Sequence, residues 1–212
     1  MKTSIKTLIA LTITTLALTL SAASVKAANP NQVTILTEVK KVDKISVAGN
    51  VELILVQSAD ESVKVYDSYF SKNALVQQKD GELRISSFNK EVLTVVVYVK
   101  NLSSITASGN STIKTAGKFN TLSLEVTLKD KATAVLNTNT VDLYANLNGQ
   151  SNLSLTGTTF TYNAIISSVA AVNMSQFTAS TTNIQSKSKS IAVVKSQKAI
   201  TTLEELSLLE NS

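Results

Sequence analysis

Glu125, Asp130 and Asp142 are the only acids between residues 102 and 198. Carboxylates on neighbouring strands can act as an acid and base pair on a glycosidic bond, or hold a metal, if they converge with a cation beside them. That stretch has no Arg, and the chain has His 0 and Cys 0. These absences remove the commonest general base, thiol nucleophiles, Cys-ligated metals and disulfides. Strand alternation points Glu125 outward, Asp130 falls in a turn and Asp142 lies a segment later. The three therefore read as solvated and turn-forming carboxylates. No catalytic, cofactor-binding or metal-binding residue is assigned, and no cofactor is expected.

Two other clusters have binding chemistry. Lys187, Lys189, Lys195 and Lys198 form an acid-free basic run suited to anionic polymers or lipid head groups. The plainer role for these lysines is protection of an exposed sheet edge. Tyr66, Tyr69 and Phe70, in YDSYF, are the densest aromatic group; they could stack on sugar rings, although burial is the simpler use. The N-x-S/T matches at Asn101, Asn110, Asn152 and Asn173 are what an Asn/Ser/Thr-rich chain yields by chance.

Charge argues against nucleic acid. The formal charge is +5, but Lys2, Lys6 and Lys26 lie within residues 1–27, where there is no acid, so the remainder carries 5 − 3 = +2. Arg84 is the sole arginine, and a nucleic-acid binder needs a concentrated basic face with stacking aromatics. Residues 1–27 read as an export signal: basic MKTSIK, apolar TLIALTITTLALTL, then small residues suited to cleavage after Ala27 or Ala23. The apolar run is too short for a membrane span, and no transmembrane segment is expected in the mature chain. The expected location is the periplasm or the cell surface.

The elements that carry these residues read as β almost throughout, with one Pro and alternating Val, Thr and Ile. ISVAGNVELILVQ (45–57) predicts two strands around a Gly-Asn turn, ESVKVYD (61–67) another, and Asp80-Gly81 a hairpin turn. VLTVVVYVK (92–100) predicts a strand buried on both faces. From Leu102 the chain echoes itself. SGNSTIKTAG (108–117) and NGQSNLSLTG (148–157) share their Gly and Ser positions, and aligning Gly109, Asp130, Gly149, Val169 and Ser188 gives steps of 21, 19, 20 and 19.

A fixed period near 20 predicts a parallel β-helix-like solenoid, with an N-terminal β-hairpin region (28–101) and about five rungs (102–198). A short helical cap (199–212) follows, in which Thr202 and Glu205 form a capping box and Leu203, Leu206 and Leu209 share a face. Residues 28–212 are expected to make one domain. The glycines of the echo read as corner residues; they lack the Lys-Ser/Thr ending of a phosphate loop.

ISVAGNVELILVQ followed by VVVYVKNLSSITASGNSTIK resembles the putative auto-transporter adhesin, head GIN domain family. ASGNS (107–111) matches its SGAS-type centre well and NGQSN (148–152) in part; LKDKATA, SSVAAVN and SKSKSIA are degenerate copies. The resemblance covers roughly residues 42–198. It implies an all-β, β-helix-like fold in the envelope of Bacteroidetes-type bacteria and a role in adhesion, with no site residues to carry over. The expectation is an exported, non-enzymatic envelope protein that binds a protein or glycan ligand. The alternatives are a carbohydrate-active lyase or hydrolase and a self-associating surface protein.

Overall fold

The computed structural model describes residues 33–66 and 74–187, which lie within one compact unit, Asn31–Ser212. The expected export signal (1–27) and C-terminal helix (199–212) lie outside the described residues. Every element among the described residues is a β-strand. In chain order these are β1 (Val33–Leu36), β2 (Lys44–Ala48), β3 (Val51–Gln57), β4 (Ser62–Tyr66), β5 (Ala74–Lys79), β6 (Glu82–Ser87), β7 (Leu93–Val99), β8 (Ser104–Ser108) and β9 (Thr112–Thr115). Then come β10 (Phe119–Asn120), β11 (Ser123–Leu128), β12 (Thr133–Leu147), β13 (Asn152–Ile166) and β14 (Ala171–Ser186).

The expected β-helix solenoid is not what the chain forms. All the strands join one mixed sheet, whose main path runs β1-β4-β7-β3-β9-β12-β11-β8-β2-β6-β5. It curls as a half-barrel that is open because, among the described residues, β1 pairs only with β4 and β5 only with β6, both antiparallel. A solenoid coil needs short strands parted by turns within every rung, whereas β12 and β13 each run unbroken for 15 residues and β14 for 16. β12 lies beside β9 with its first half and beside β11 with its second, and so joins the two arms of the sheet. The spacing seen in the sequence is the register step of these parallel ladders. Position 104 pairs with 125, Ser123 with Asp142, Thr133 with Asn152, and Asn152 with Ala171.

The local signals explain most elements. β2 and β3 flank Gly49-Asn50, and β5 and β6 flank an Asp80-Gly81 turn in which both residues have positive φ (51° and 78°), the geometry of a type I′ hairpin. β7 buries alternate residues, Leu93, Val95, Val97 and Val99, while Thr94, Val96 and Tyr98 are half-buried. Burial on both faces was expected from its apolar run; the physical outcome is a one-sided strand.

The inner face of the curl holds one core. Ile45, Leu53, Leu83, Val95, Ile105, Ile113, Val126 and Leu143 are all at most 1% exposed. Each such side chain contributes roughly 1.5–3 kcal/mol by leaving water, and in a chain without disulfides that burial and the ladders hold the fold. Turn residues stack across the ladders. Gly109 and Gly149 sit with Asp130 in the left-handed region (φ 73°, 68° and 59°), and the Gly109 N–H donates to Asp130 Oδ2 at 2.9 Å. The corner role read for these glycines is where they stand.

Candidate functional site: an exposed apolar ridge on a bent sheet

The sequence-predicted candidates do not assemble. Glu125 and Asp142 are exposed on the outer face; Glu125 pairs with Tyr144 and Asp142 with Ser123, so the two carboxylates are diagonal neighbours, about 7–8 Å apart by ladder geometry. Asp130 lies in the turn after β11, beyond the other end of that strand, and is engaged by Gly109. Among the described residues no group of three or more His, Cys, Asp or Glu is placed to hold a metal. Lys187 donates to Asn148 Oδ1 at 3.0 Å; Lys189, Lys195 and Lys198 lie outside the described residues, as do Tyr69 and Phe70. Tyr66 is exposed at the end of β4. Asn173 caps its own backbone, accepting from the Ser175 N–H at 3.1 Å.

A different feature emerges where the strands bend. In β12, inward Thr138 and Thr140 are followed by two consecutive outward residues, Val141 and Asp142, before Leu143 turns in again. β13 does the same with Phe160 and Thr161 between Thr159 and Tyr162, and the β10 to β11 link with Leu122 and Ser123. Two outward residues in succession mark a bend that neighbouring strands take together, since the register offset of 19 is the same on both sides of it. Accordingly, the N–H groups of Val141 and Asp142 both donate to the Leu122 carbonyl, at 3.0 and 2.9 Å.

Threonines hold this bend from within. Thr121 Oγ1 donates to the Leu102 carbonyl at 3.1 Å, and Thr140 Oγ1 donates to Thr159 Oγ1 at 2.8 Å. The Thr159 hydroxyl in turn lies 3.0 Å from the Val141 carbonyl and 3.1 Å from that of Thr161. A β-branched residue with a short hydroxyl both fits the strand and ties the kinked backbone.

The consequence is on the outside. Leu122, Val141 and Phe160 follow one another across adjacent strands and are 78%, 46% and 62% exposed. Isolated exposed apolar residues are ordinary, but a stacked row of large ones marks a contact surface. Beside the row is an open, mostly apolar groove of about 740 Å³ lined by Leu122 and Val141, with Asn101, Asn120 and Asn139 supplying amides. Asn120 and Asn139 are held in place: the Asn120 N–H donates to Gln57 Oε1 at 2.9 Å, and Asn139 Oδ1 accepts from Thr158 Oγ1 at 3.0 Å. The arrangement offers apolar contact with a few oriented amides, and no group placed for proton transfer or nucleophilic attack.

Sequence reasoning missed this ridge. Leu122, Val141 and Phe160 continue the alternation of Leu124, Leu143 and Tyr162, so period two assigns them to the core. The signal that would have found them is the recurrence of Thr immediately before each of them, at 121, 140 and 159.

None of the curated proteins matches the sequence. Solved structures match the fold. A protein from Parabacteroides distasonis described as a putative lipid binding protein superposes with a TM-score of 0.59 at 15% identity, over 75% of this chain and 80% of that one. A putative adhesin from Parabacteroides merdae does so with a TM-score of 0.55 at 14% identity, over 73% and 77%. Among the described residues no helix is long and apolar enough to cross a membrane. The model of one sequence family spans residues 41–202, most of the chain and both arms of the sheet. The chain belongs to the putative auto-transporter adhesin, head GIN domain family.

Proposed function

We propose that this protein is exported to the bacterial envelope and acts there as an adhesin, by binding and not by catalysis. Its contact surface is the Leu122, Val141 and Phe160 ridge with the adjoining groove. The observation that carries this reading is the exposure of three large apolar side chains stacked on adjacent strands, on a bend the protein holds with its own threonines. Family membership supports the adhesive role. The separation of Asp130 from Glu125 and Asp142 favours binding over the lyase or hydrolase alternative. In this reading residues 1–27 leave as a signal and residues 28–212 fold as one domain.

The test is deletion and complementation in the source bacterium, with attachment to host-cell or abiotic surfaces as the readout and surface protease treatment to locate the protein. Attachment lost on deletion and restored by the wild-type gene is the expected result. Wild-type attachment on deletion, or a protein inaccessible to protease on intact cells, contradicts it.

The mostly apolar character of the groove supports a second reading, an acyl chain or membrane surface as the ligand, in keeping with the description of the P. distasonis neighbour. Co-sedimentation with phosphatidylcholine and phosphatidylglycerol vesicles separates the two.

A further inference from the structure

The outer face of β11 to β14, beyond the ridge, carries a second surface of different chemistry. Its cross-strand rows are Ser123, Asp142, Thr161 and Thr181; Glu125, Tyr144, Asn163 and Asn183; and Thr127, Asn146, Ile165 and Gln185. A depression of about 280 Å³ is lined there by Tyr144, Asn163, Ile165, Asn183 and Gln185.

Two features set it apart. The side chains of Glu125, Tyr144, Asn163, Asn183 and Gln185 make no hydrogen bond or ion pair with another described residue, whereas neighbouring amides are spent inside the protein. Asn146 Oδ1, for example, accepts from Asn148 Nδ2 at 3.0 Å, and Asn148 Oδ1 from Lys187 Nζ at 3.0 Å. Tyr144 is also an outward aromatic in a free state: Tyr162 is buried, and the Tyr98 ring is covered by Lys64 Nζ at 4.9 Å.

From these observations we infer that this face is a glycan-binding platform for neutral sugars. A half-buried tyrosine ring offers a π face to the C–H side of a pyranose. Two asparagines and a glutamine offer both donors and acceptors to hydroxyls, and Glu125 accepts from them. The distance from Tyr144 across β13 to Asn183 is two strand spacings, roughly 10 Å, long enough for a pair of linked sugar rings. Charge selects among glycans. The three rows contain two carboxylates, Glu125 and Asp142, and no lysine or arginine, so they repel uronate and sulfate polymers and accept uncharged ones.

The experiment is affinity electrophoresis of the full chain through gels holding a neutral mannan, a β-glucan, an α-glucan or polygalacturonate, repeated with Tyr144→Ala, Tyr144→Phe and Asn183→Ala. Retardation in at least one neutral gel is expected, with at least ten-fold weaker binding by Tyr144→Ala, weaker binding by Asn183→Ala and most of the affinity kept by Tyr144→Phe. Unfolding midpoints of the variants confirm that the fold is intact. Failure of the wild type to be retarded by any neutral glycan, retardation by polygalacturonate alone, or undiminished binding by folded Tyr144→Ala overturns the inference. A Phe160→Ser variant keeps its retardation, which separates this surface from the ridge.

Discussion

The Thr140 hydroxyl donates to the Thr159 hydroxyl at 2.8 Å, across two strands and beneath the bend that turns Val141 and Phe160 outward. Threonine recurs at this place because the bend leaves backbone carbonyls for a side chain to tie. Thr138, two residues before Thr140 in β12, is as fully buried as Thr159, yet its hydroxyl has no partner among the described residues. The two positions therefore respond oppositely to loss of the hydroxyl. Thr159→Val lowers stability by about 1 kcal/mol, the net worth of a buried hydrogen bond, while Thr138→Val leaves it unchanged or raises it. Urea unfolding midpoints decide the matter; equal losses at both positions would contradict the account of the bend.

Gly149 stands over the Asp130 turn, and a Cβ built there falls 2.8 to 3.0 Å from Asp130 backbone atoms. At Gly117, where φ is similarly positive, the same atom meets nothing within 4 Å. Gly117→Ala therefore costs only the strain of the left-handed conformation, roughly 1–2 kcal/mol, and Gly149→Ala costs more because the backbone of the turn stack has to shift. Thermal unfolding of the two variants reads the difference, and a smaller loss at Gly149 would be the opposing result.

Tyr162 is fully buried, edge-on to Phe177 at 6.0 Å between ring centroids, and its hydroxyl has no partner among the described residues. Burial pushes its phenol above the ordinary value of 10.0. The folded state then holds the proton at pH values where the unfolded chain has released it. The stability this represents is intact below about pH 10 and falls as pH rises beyond it, by up to about 1.4 kcal/mol per pH unit. Tyr162→Phe removes that fall and costs little at neutral pH. Unfolding of both proteins between pH 8 and 11 is the check, and parallel curves would count against it.

Residues 1–27 carry the pattern of an export signal, and its removal is a prediction in its own right. Intact-mass measurement of the protein recovered from outside the inner membrane is expected to start at residue 28 or 24. A chain that keeps Met1 in the envelope fraction would refute it.

How much of this was legible in the sequence depends on how local the cause is. The β5–β6 hairpin was, because Asp80-Gly81 encodes positive φ in the residues themselves. The parallel ladder step was visible in the spacing of Gly109, Asp130 and Gly149, since stacked turns demand like residues at like places. The closure of the sheet was not. Whether the chain coils as a solenoid or runs 15 residues straight through a bend depends on hydroxyls such as Thr159 finding carbonyls across a strand, which spacing alone does not disclose. For the same reason the ridge was hidden: Leu122, Val141 and Phe160 obey the alternation of core residues, and the bend that expels them is a property of neighbouring strands together. Lys64 over Tyr98, likewise, joins residues 34 apart in sequence.

The central claim is that the ridge makes the adhesive contact. The most direct measurement compares attachment by cells producing the wild type with that of cells producing a Leu122→Ser, Val141→Ser, Phe160→Ser variant, at matched surface levels and with the unfolding midpoint of each protein recorded. These side chains are exposed, so the variant keeps the wild-type stability within about 1 kcal/mol, and attachment falls at least five-fold. A folded variant that attaches as well as the wild type would contradict the claim.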